Sequence, residues 1–194
     1  MQNTQANHEK LKKYNEAISQ IPVERLVFLD ESGVNLAMTR SSARCTQNER
    51  AYCPRPDGCR KNISLIGAVK VSGFVALYPY DGPIYGERFL SYLDDELIPK
   101  LITGDVLVLD NLRVHHIKPV REKLQSKGIG LLYLPPYRPE LNPIEEAWAL
   151  VKSTFRTLEA RTITAFIDAL QSARNTVTQK KIAGFFAHAG IDLK

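Results

Sequence analysis

Cysteine is scarce in this 194-residue chain: Cys45, Cys53 and Cys59 are odd in number, and no histidine follows them at a zinc-site spacing. That argues against a disulfide framework and against a zinc site, so the three read as reduced thiols of a cytosolic protein. No apolar run approaches the roughly 20 residues that cross a bilayer, and no signal peptide opens the chain. The expectation is a soluble, intracellular protein with no membrane partner. Repeats and low-complexity tracts are missing too, which removes repeat architectures.

What is present suits one packed domain. Hydrophobic residues make up 44% of the chain, enough to bury one sizeable core. The net charge of +5, from 26 basic and 21 acidic residues, fits a phosphate-bearing partner as well as it fits an ordinary basic surface.

Leu11, Tyr14, Ala17, Ile18 and Ile21 recur at helical spacing, which predicts an amphipathic helix over 8–20, ended by Pro22. Residues 1–22 thus form a helical leader to a domain over 23–194. The next segments are β-rich: a strand ending at Asp30, a second near Val34 to Met38, and a hairpin pair, 63–69 and 73–78, joined at Ser72-Gly73. Residues 40–61 read as a long irregular loop whose Arg44, Arg50, Arg55, Arg60 and Lys61 either meet nucleic acid or are simply solvated. From 86 onward a crossover helix (86–102), the apolar strand 106–109, a helix (115–126) and a strand (129–134) alternate, implying parallel pairing with right-handed crossovers. Ala165, Ile167, Leu170, Val177, Ile182 and Phe185 mark two further helices packing on the sheet.

Three acids stand at element ends. Asp30 and Asp110 each close an apolar strand, where open sheets present their ligands. Glu145 is separated from Asp110 by 34 intervening residues and lies in the first turn of a helix with Asn142 as N-cap, Pro143 as first residue and Ile144, Ala147, Trp148, Val151 and Phe155 as its buried stripe. Taken singly, Glu145 is equally a capping residue, three places after the N-cap, and Asp110 a turn former. Gathered together, carboxylates repel and partly protonate unless cations hold them. Magnesium, a hard ion bound through a few carboxylates and waters, is the natural partner.

The segments L-D-E-S-G at 29–33, L-D-N at 109–111 with His115 following, and L-P-P-Y-R-P-E-L-N-P-I-E at 134–145 resemble the catalytic domain of mariner-type insertion-sequence transposases of the DDE superfamily, over roughly residues 24–160. The resemblance implies an α/β, ribonuclease-H-like mixed sheet, antiparallel in its first strands and parallel in its later ones, with helices on both faces. It implies that Asp30, Asp110 and Glu145 are the catalytic acids, that they hold two Mg²⁺ ions (Mn²⁺ as a substitute), and that the substrates are transposon ends and target DNA. Arg138 stands where relatives commonly carry a small polar residue, and 43–51 lacks their aromatic and glycine pattern, which touches local substrate contacts rather than the acids. Relatives find their DNA ends through helix-turn-helix modules of about 50 residues each. With 29 residues ahead of Asp30, the expectation is a catalytic domain that works with a separate module, possible as a homodimer, in the cytoplasm at the nucleoid.

Further candidates surround the acids. His115, His116 and Asn111 either touch substrate phosphate, orient a neighbouring group, or merely cap a helix. Lys152 and Arg156, seven and eleven residues after Glu145, fall within about 20° of it on the helical wheel and either flank a DNA path or are solvated. Glu146 is the fallback third acid. Two rival readings remain: another ribonuclease-H-like nuclease, acting on hybrids or junctions, and a catalytically silent DNA-binding or regulatory remnant.

Overall fold

The computed structural model describes residues 5–40, 42, 44–52 and 61–193. Cys53, Cys59, Arg55 and Arg60 lie outside the described residues; Cys45 is exposed and free. The leader helix α1 (Gln5–Ser19) places Tyr14 in the core, with Ile18 and Ile21 packed beside it.

Five strands form one sheet in the order β3-β2-β1-β4-β5. β1 (Leu26–Asn35) runs antiparallel to β2 (Asn62–Lys70), and β2 antiparallel to β3 (Gly73–Asp81). β4 (Val106–Leu109) lies parallel to β1, and β5 (Gly130–Tyr133) parallel to β4. The mixed sheet expected from the sequence is therefore present.

Alternation along β1 divides the core in two. Leu26 and Phe28 face one layer, built from α1, α4 (Ile144–Leu158), α5 (Ile163–Thr176) and α6 (Gln179–His188). Val27 and Leu29 face the other, built from α2 (Gly86–Tyr92) and α3 (Lys118–Ser126). Burial on both faces explains why the strand runs carry no polar alternation.

Four local expectations are corrected. The separate strand at Val34–Met38 does not exist: β1 stays paired to β2 as far as Asn35, whose Oδ1 then accepts the Ala37 N–H at 2.6 Å and turns the chain. The crossover helix after Gly86 widens into a π turn at Leu93–Leu97 and tightens to a 3₁₀ turn at Ile98–Lys100, where Pro99 has no N–H to continue it. The helix expected from His115 begins at Lys118, after a separate 3₁₀ turn at Arg113–His116; Ile117 is extended between them. On α5 the buried stripe is Phe166, Ala169 and Ala173, leaving Ile167 exposed, and Phe166 stacks on Phe155 of α4 at 4.7 Å.

One close approach positions the site. Gly67 lies opposite Asp30 in the β1–β2 register, and a Cβ there would stand 2.8 Å from the Trp148 ring and 3.2 Å from Phe74. Glycine at this point lets the indole lie flat on the sheet. Gly67→Ala is expected to destabilise the fold by about 1–3 kcal/mol through overpacking, read by denaturant titration. Gly33→Ala on the same sheet, with nothing within 4 Å of the added methyl, should cost nothing. Equal effects of the two would remove the steric account.

Candidate active site

β1 and β4 pair in parallel up to Phe28 and Val108, a register that brings Asp30 beside Asp110. Asp110 follows the end of β4, whereas Asp30 does not close its strand as expected but lies within β1, still paired to Gly67 of β2. The chain then passes through α3 and β5 and crosses the mouth of the sheet as Leu134-Pro135-Pro136-Tyr137-Arg138-Pro139. Prolines fix φ there and forbid further ladder bonds, which stops β5 and carries the chain over the site. At its end Asn142 is extended, Pro143 already has helical dihedrals (φ −63°, ψ −18°), and α4 follows. The Asn142 carbonyl accepts the Glu145 N–H at 3.1 Å, and its Oδ1 accepts the Ile144 N–H at 3.4 Å. The helix thus opens one residue later than expected, with Pro143 rather than Asn142 as N-cap, Ile144 as first residue and no side-chain bond from the cap.

Asp30, Asp110 and Glu145 line one cleft of ≈390 Å³, together with Asn111, Tyr137 and Arg138. The acids repel. Burial, then the charges of Glu145, Glu31 and Asp110, push the Asp30 carboxyl up to about 7, partly offset by the Glu31 N–H. The indole Nε1–H of Trp148 donates to Asp30 Oδ2 at 3.2 Å, aiming that carboxylate from the α4 side.

Asp110 is held differently. Leu112 N–H donates to its Oδ1 at 2.9 Å, and His115 Nδ1 lies 2.7 Å from the same oxygen. Burial alone would raise this carboxyl, but the bonds from His115 and Leu112 and the imidazole charge hold it below its ordinary value. His115 Nε2 stands 3.0 Å from Glu31 Oε1. Burial would lower the imidazole, yet its bonds to Asp110 and Glu31 raise it to about 9. Its raised value favours the imidazolium, which donates at both nitrogens.

The remaining candidates separate clearly. His115 is fully buried, which removes it from direct contact with a phosphate backbone; it orients Asp110 instead. His116 stacks on Tyr133 at 4.2 Å. Asn111 lines the cleft, but its Nδ2 donates to Leu134 O at 2.6 Å and braces the proline segment. Arg138 lines the cleft and pairs with Glu140 at 3.1 Å. Glu146, one helical step from Glu145, bonds His188 of α6 and turns away from the cleft. Lys152 and Arg156 are half-buried further along α4. Arg156 shares a second cleft, ≈420 Å³, with Arg40, Ser42, Ser153 and Thr157. Of the basic loop residues, Lys61 is ion-paired to Asp81 at 2.7 Å.

Three participants escaped the sequence reading. Glu31 was hidden by its neighbour, although consecutive acids on one strand must point to opposite faces. Trp148 reads as core, yet it stands three residues after Glu145, on the adjoining helix face. Tyr137, 79% exposed with a left-handed φ of 58°, carries no sequence signal beyond lying between prolines.

Among the described residues no three His, Cys, Asp or Glu side chains are gathered tightly enough to enclose a metal ion by themselves. The three acids are an open, oxygen-only set. Such donors fit a hard divalent cation that keeps several waters, and the raised Asp30 carboxyl records the negative charge a cation would relieve.

Asp30 generates a stability prediction. Its folded value near 7 exceeds the ordinary 3.8, so the folded state binds more protons and stability falls as pH rises from about 4 to 7. In chelator, Asp30→Asn, which keeps an acceptor for Trp148, should match the parent at pH 4. Above pH 7 it should exceed the parent by on the order of 2–4 kcal/mol. No gain at pH 8 would contradict the crowding of these acids.

Comparison with known proteins supplies the family and the fold. The chain superposes on the Mos1 transposase of the paired-end complex with left transposon end with a TM-score of 0.79 at 16% identity, covering 97% of this chain and 60% of that one. On the Mos1 catalytic domain solved with raltegravir and Mn the TM-score is 0.68 at 14% identity, covering 98% and 94%. At these identities the likeness establishes the fold, the ribonuclease-H-like architecture of that catalytic domain. Over 146 residues the chain is 27% identical to the histone-lysine N-methyltransferase SETMAR of Homo sapiens, covering 69% of this chain and 21% of that protein. The chain therefore spans about a fifth of this curated relative's length and three fifths of the Mos1 chain in its DNA complex. The model of the DDE superfamily endonucleases matches residues 25–167, a stretch that holds all three acids, and the chain belongs to that family.

Proposed function

We propose that this chain is the catalytic domain of a transposase, cutting DNA at transposon ends and joining the freed 3′-hydroxyl to target DNA by in-line phosphoryl transfer. The observation that carries this is the convergence of Asp30, Asp110 and Glu145 on one cleft, within a chain of the DDE endonuclease family. Support comes from the Mos1 structures of the same fold, solved as DNA complexes and with Mn or Mg.

Asp30, Asp110 and Glu145 are the residues that would hold the divalent ions, two Mg²⁺ on this reading. Bound there, the ions supply activation of a water or 3′-hydroxyl and stabilisation of the leaving oxygen. The chain's own residues supply the preorganisation. Trp148 fixes the Asp30 carboxylate, and His115 and Leu112 fix that of Asp110. Asn111 secures the proline segment that brings Arg138 and Glu145 to the cleft. Arg138 adds the cationic group on that rim, tethered by Glu140.

DNA leaves the cleft along α4. Arg156 lies eleven residues beyond Glu145 on the same helix face, about 16 Å away at 1.5 Å per residue. The second cleft there brings Arg156 and Arg40 together with three hydroxyl side chains and, among the described residues, no carboxylate, a cationic, hydroxyl-bearing lining that suits backbone phosphates. Lys152 lies between the two clefts. Recognition of one particular end sequence falls to a separate helix-turn-helix module, and pairing of two ends to a dimer.

Two outcomes test this reading. Asp110→Asn or Glu145→Gln should abolish Mn²⁺- or Mg²⁺-dependent nicking of duplex DNA, a loss of about 10³-fold or more for a group acting on the reacting phosphate, while thermal unfolding stays cooperative. Retained nicking in either, or turnover of RNA hybrids or four-way junctions in preference to duplex ends, would sink it. In binding assays, the chain should hold DNA weakly and with little sequence preference. The Lys152→Ala/Arg156→Ala variant should lower the salt slope of log K by about two, one for each phosphate contact. An unchanged slope would leave the two as surface charges.

A further inference from the structure

Asp30 and Glu31 are consecutive on β1, so their side chains leave the sheet on opposite faces. Asp30 turns to α4 and Trp148, whereas Glu31 turns to the α2–α3 layer and does not line the catalytic cleft. Its Oε1 stands 3.0 Å from His115 Nε2, and its Oε2 is buried without a hydrogen-bond partner. Among the described residues the carboxylate thus has one partner, His115. The imidazole is completely buried, and its other nitrogen lies 2.7 Å from Asp110 Oδ1.

We propose that Glu31 is a positioning residue for phosphoryl transfer, acting on Asp110 through His115. The inference rests on the reading above that Asp110 holds a divalent ion. A ring tied at both nitrogens can neither flip nor rotate about its side-chain bonds. Phe89 packs on it with ring centres 4.7 Å apart, and the Tyr133 hydroxyl donates to the His115 carbonyl at 2.9 Å. With Glu31 in place, Nδ1 can meet Asp110 in one orientation only. Without it, the ring is tied at Nδ1 alone, and the Leu112 N–H is the one donor still fixed on Asp110 Oδ1. Glu31 therefore reaches the cleft from the far side of the sheet while touching neither metal nor DNA. A carboxylate that only stapled β1 to the turn after β4 would affect stability and leave metal affinity alone.

The experiment is a Mn²⁺ titration of the whole chain, followed by calorimetry without DNA, alongside DNA nicking and thermal unfolding. Glu31→Ala should weaken Mn²⁺ binding by about 10–100-fold, the usual cost of losing a partner behind a metal ligand. It should lower kcat with little change in the KM for DNA. Glu31→Gln, whose amide oxygen can still accept from Nε2, should recover most of that loss. His115→Ala should lose as much as Glu31→Ala, and the double variant no more than either, because the two act in series. If the alanine variants do not fold, Glu31→Asp serves: it keeps the charge but withdraws the oxygen by one methylene, and should bind Mn²⁺ less well than Glu31→Gln. The reverse ranking would overturn the proposal, as would additive losses in the double variant or parental Mn²⁺ affinity in a folded Glu31→Ala protein. If the parent itself binds no Mn²⁺ more tightly than Asp110→Asn does, the reading of the cleft falls and this inference with it.

Discussion

Carboxylates brought to one cleft repel each other, and much of the local structure around the middle of β1 and the end of β4 opposes that repulsion. Asp30 shows the cost directly, since burial and its acidic neighbours raise its carboxyl to about 7. Each restraint has a donor at its end: the Trp148 indole on Asp30, the His115 ring and the Leu112 amide on Asp110. None of these donors alone cancels a net charge of several acids. They fix directions, and they leave the cleft electronegative enough to attract a cation.

Both layers of the molecule take part. Helix α4 lies on one face of the sheet and delivers Glu145 and Trp148 together, because positions three apart on a helix are neighbours. From the other face the turn after β4 delivers His115, wedged between Glu31 and Asp110. Sheet alternation makes this possible, since consecutive residues of β1 serve opposite layers. The proline segment closes the arrangement by carrying the chain from β5 to α4 across the strand ends. Tyr137 and Arg138 are brought to the cleft by that crossing.

How much of this was legible beforehand follows from the range of each interaction. Strand runs, the α4 stripe and the proline segment are local patterns, and Ile144, Ala147, Trp148, Val151 and Phe155 are buried as their spacing requires. Asp110 and Glu145 were recognisable because each sits at an element end, where chain geometry and chemistry coincide; Asp30 lies inside β1 and was marked only by the apolar run before it. Partners far apart in sequence were not. Glu31 and His115 are 84 positions apart and Asp30 and Trp148 are 118 apart, so neither pair leaves a periodic trace. The strand expected to end at Asp30 continues to Asn35, because the turn is supplied there by the Asn35 side chain, a contact that leaves no periodic trace. His115 was placed at a helix start because nothing in its neighbours reveals the extended Ile117 that splits the helix.

The bond between Trp148 and Asp30 has an optical consequence. The chain contains one tryptophan, and its indole N–H is engaged by a member of the acidic set. Light absorbed at the red edge of the aromatic band is thus emitted from a single chromophore whose excited-state dipole lies against that carboxylate. Neutralising the carboxylate, by a proton or by a cation, changes the local field on the ring and with it the emission maximum and yield. The molecule carries its own unlabelled spectroscopic gauge of the state of Asp30.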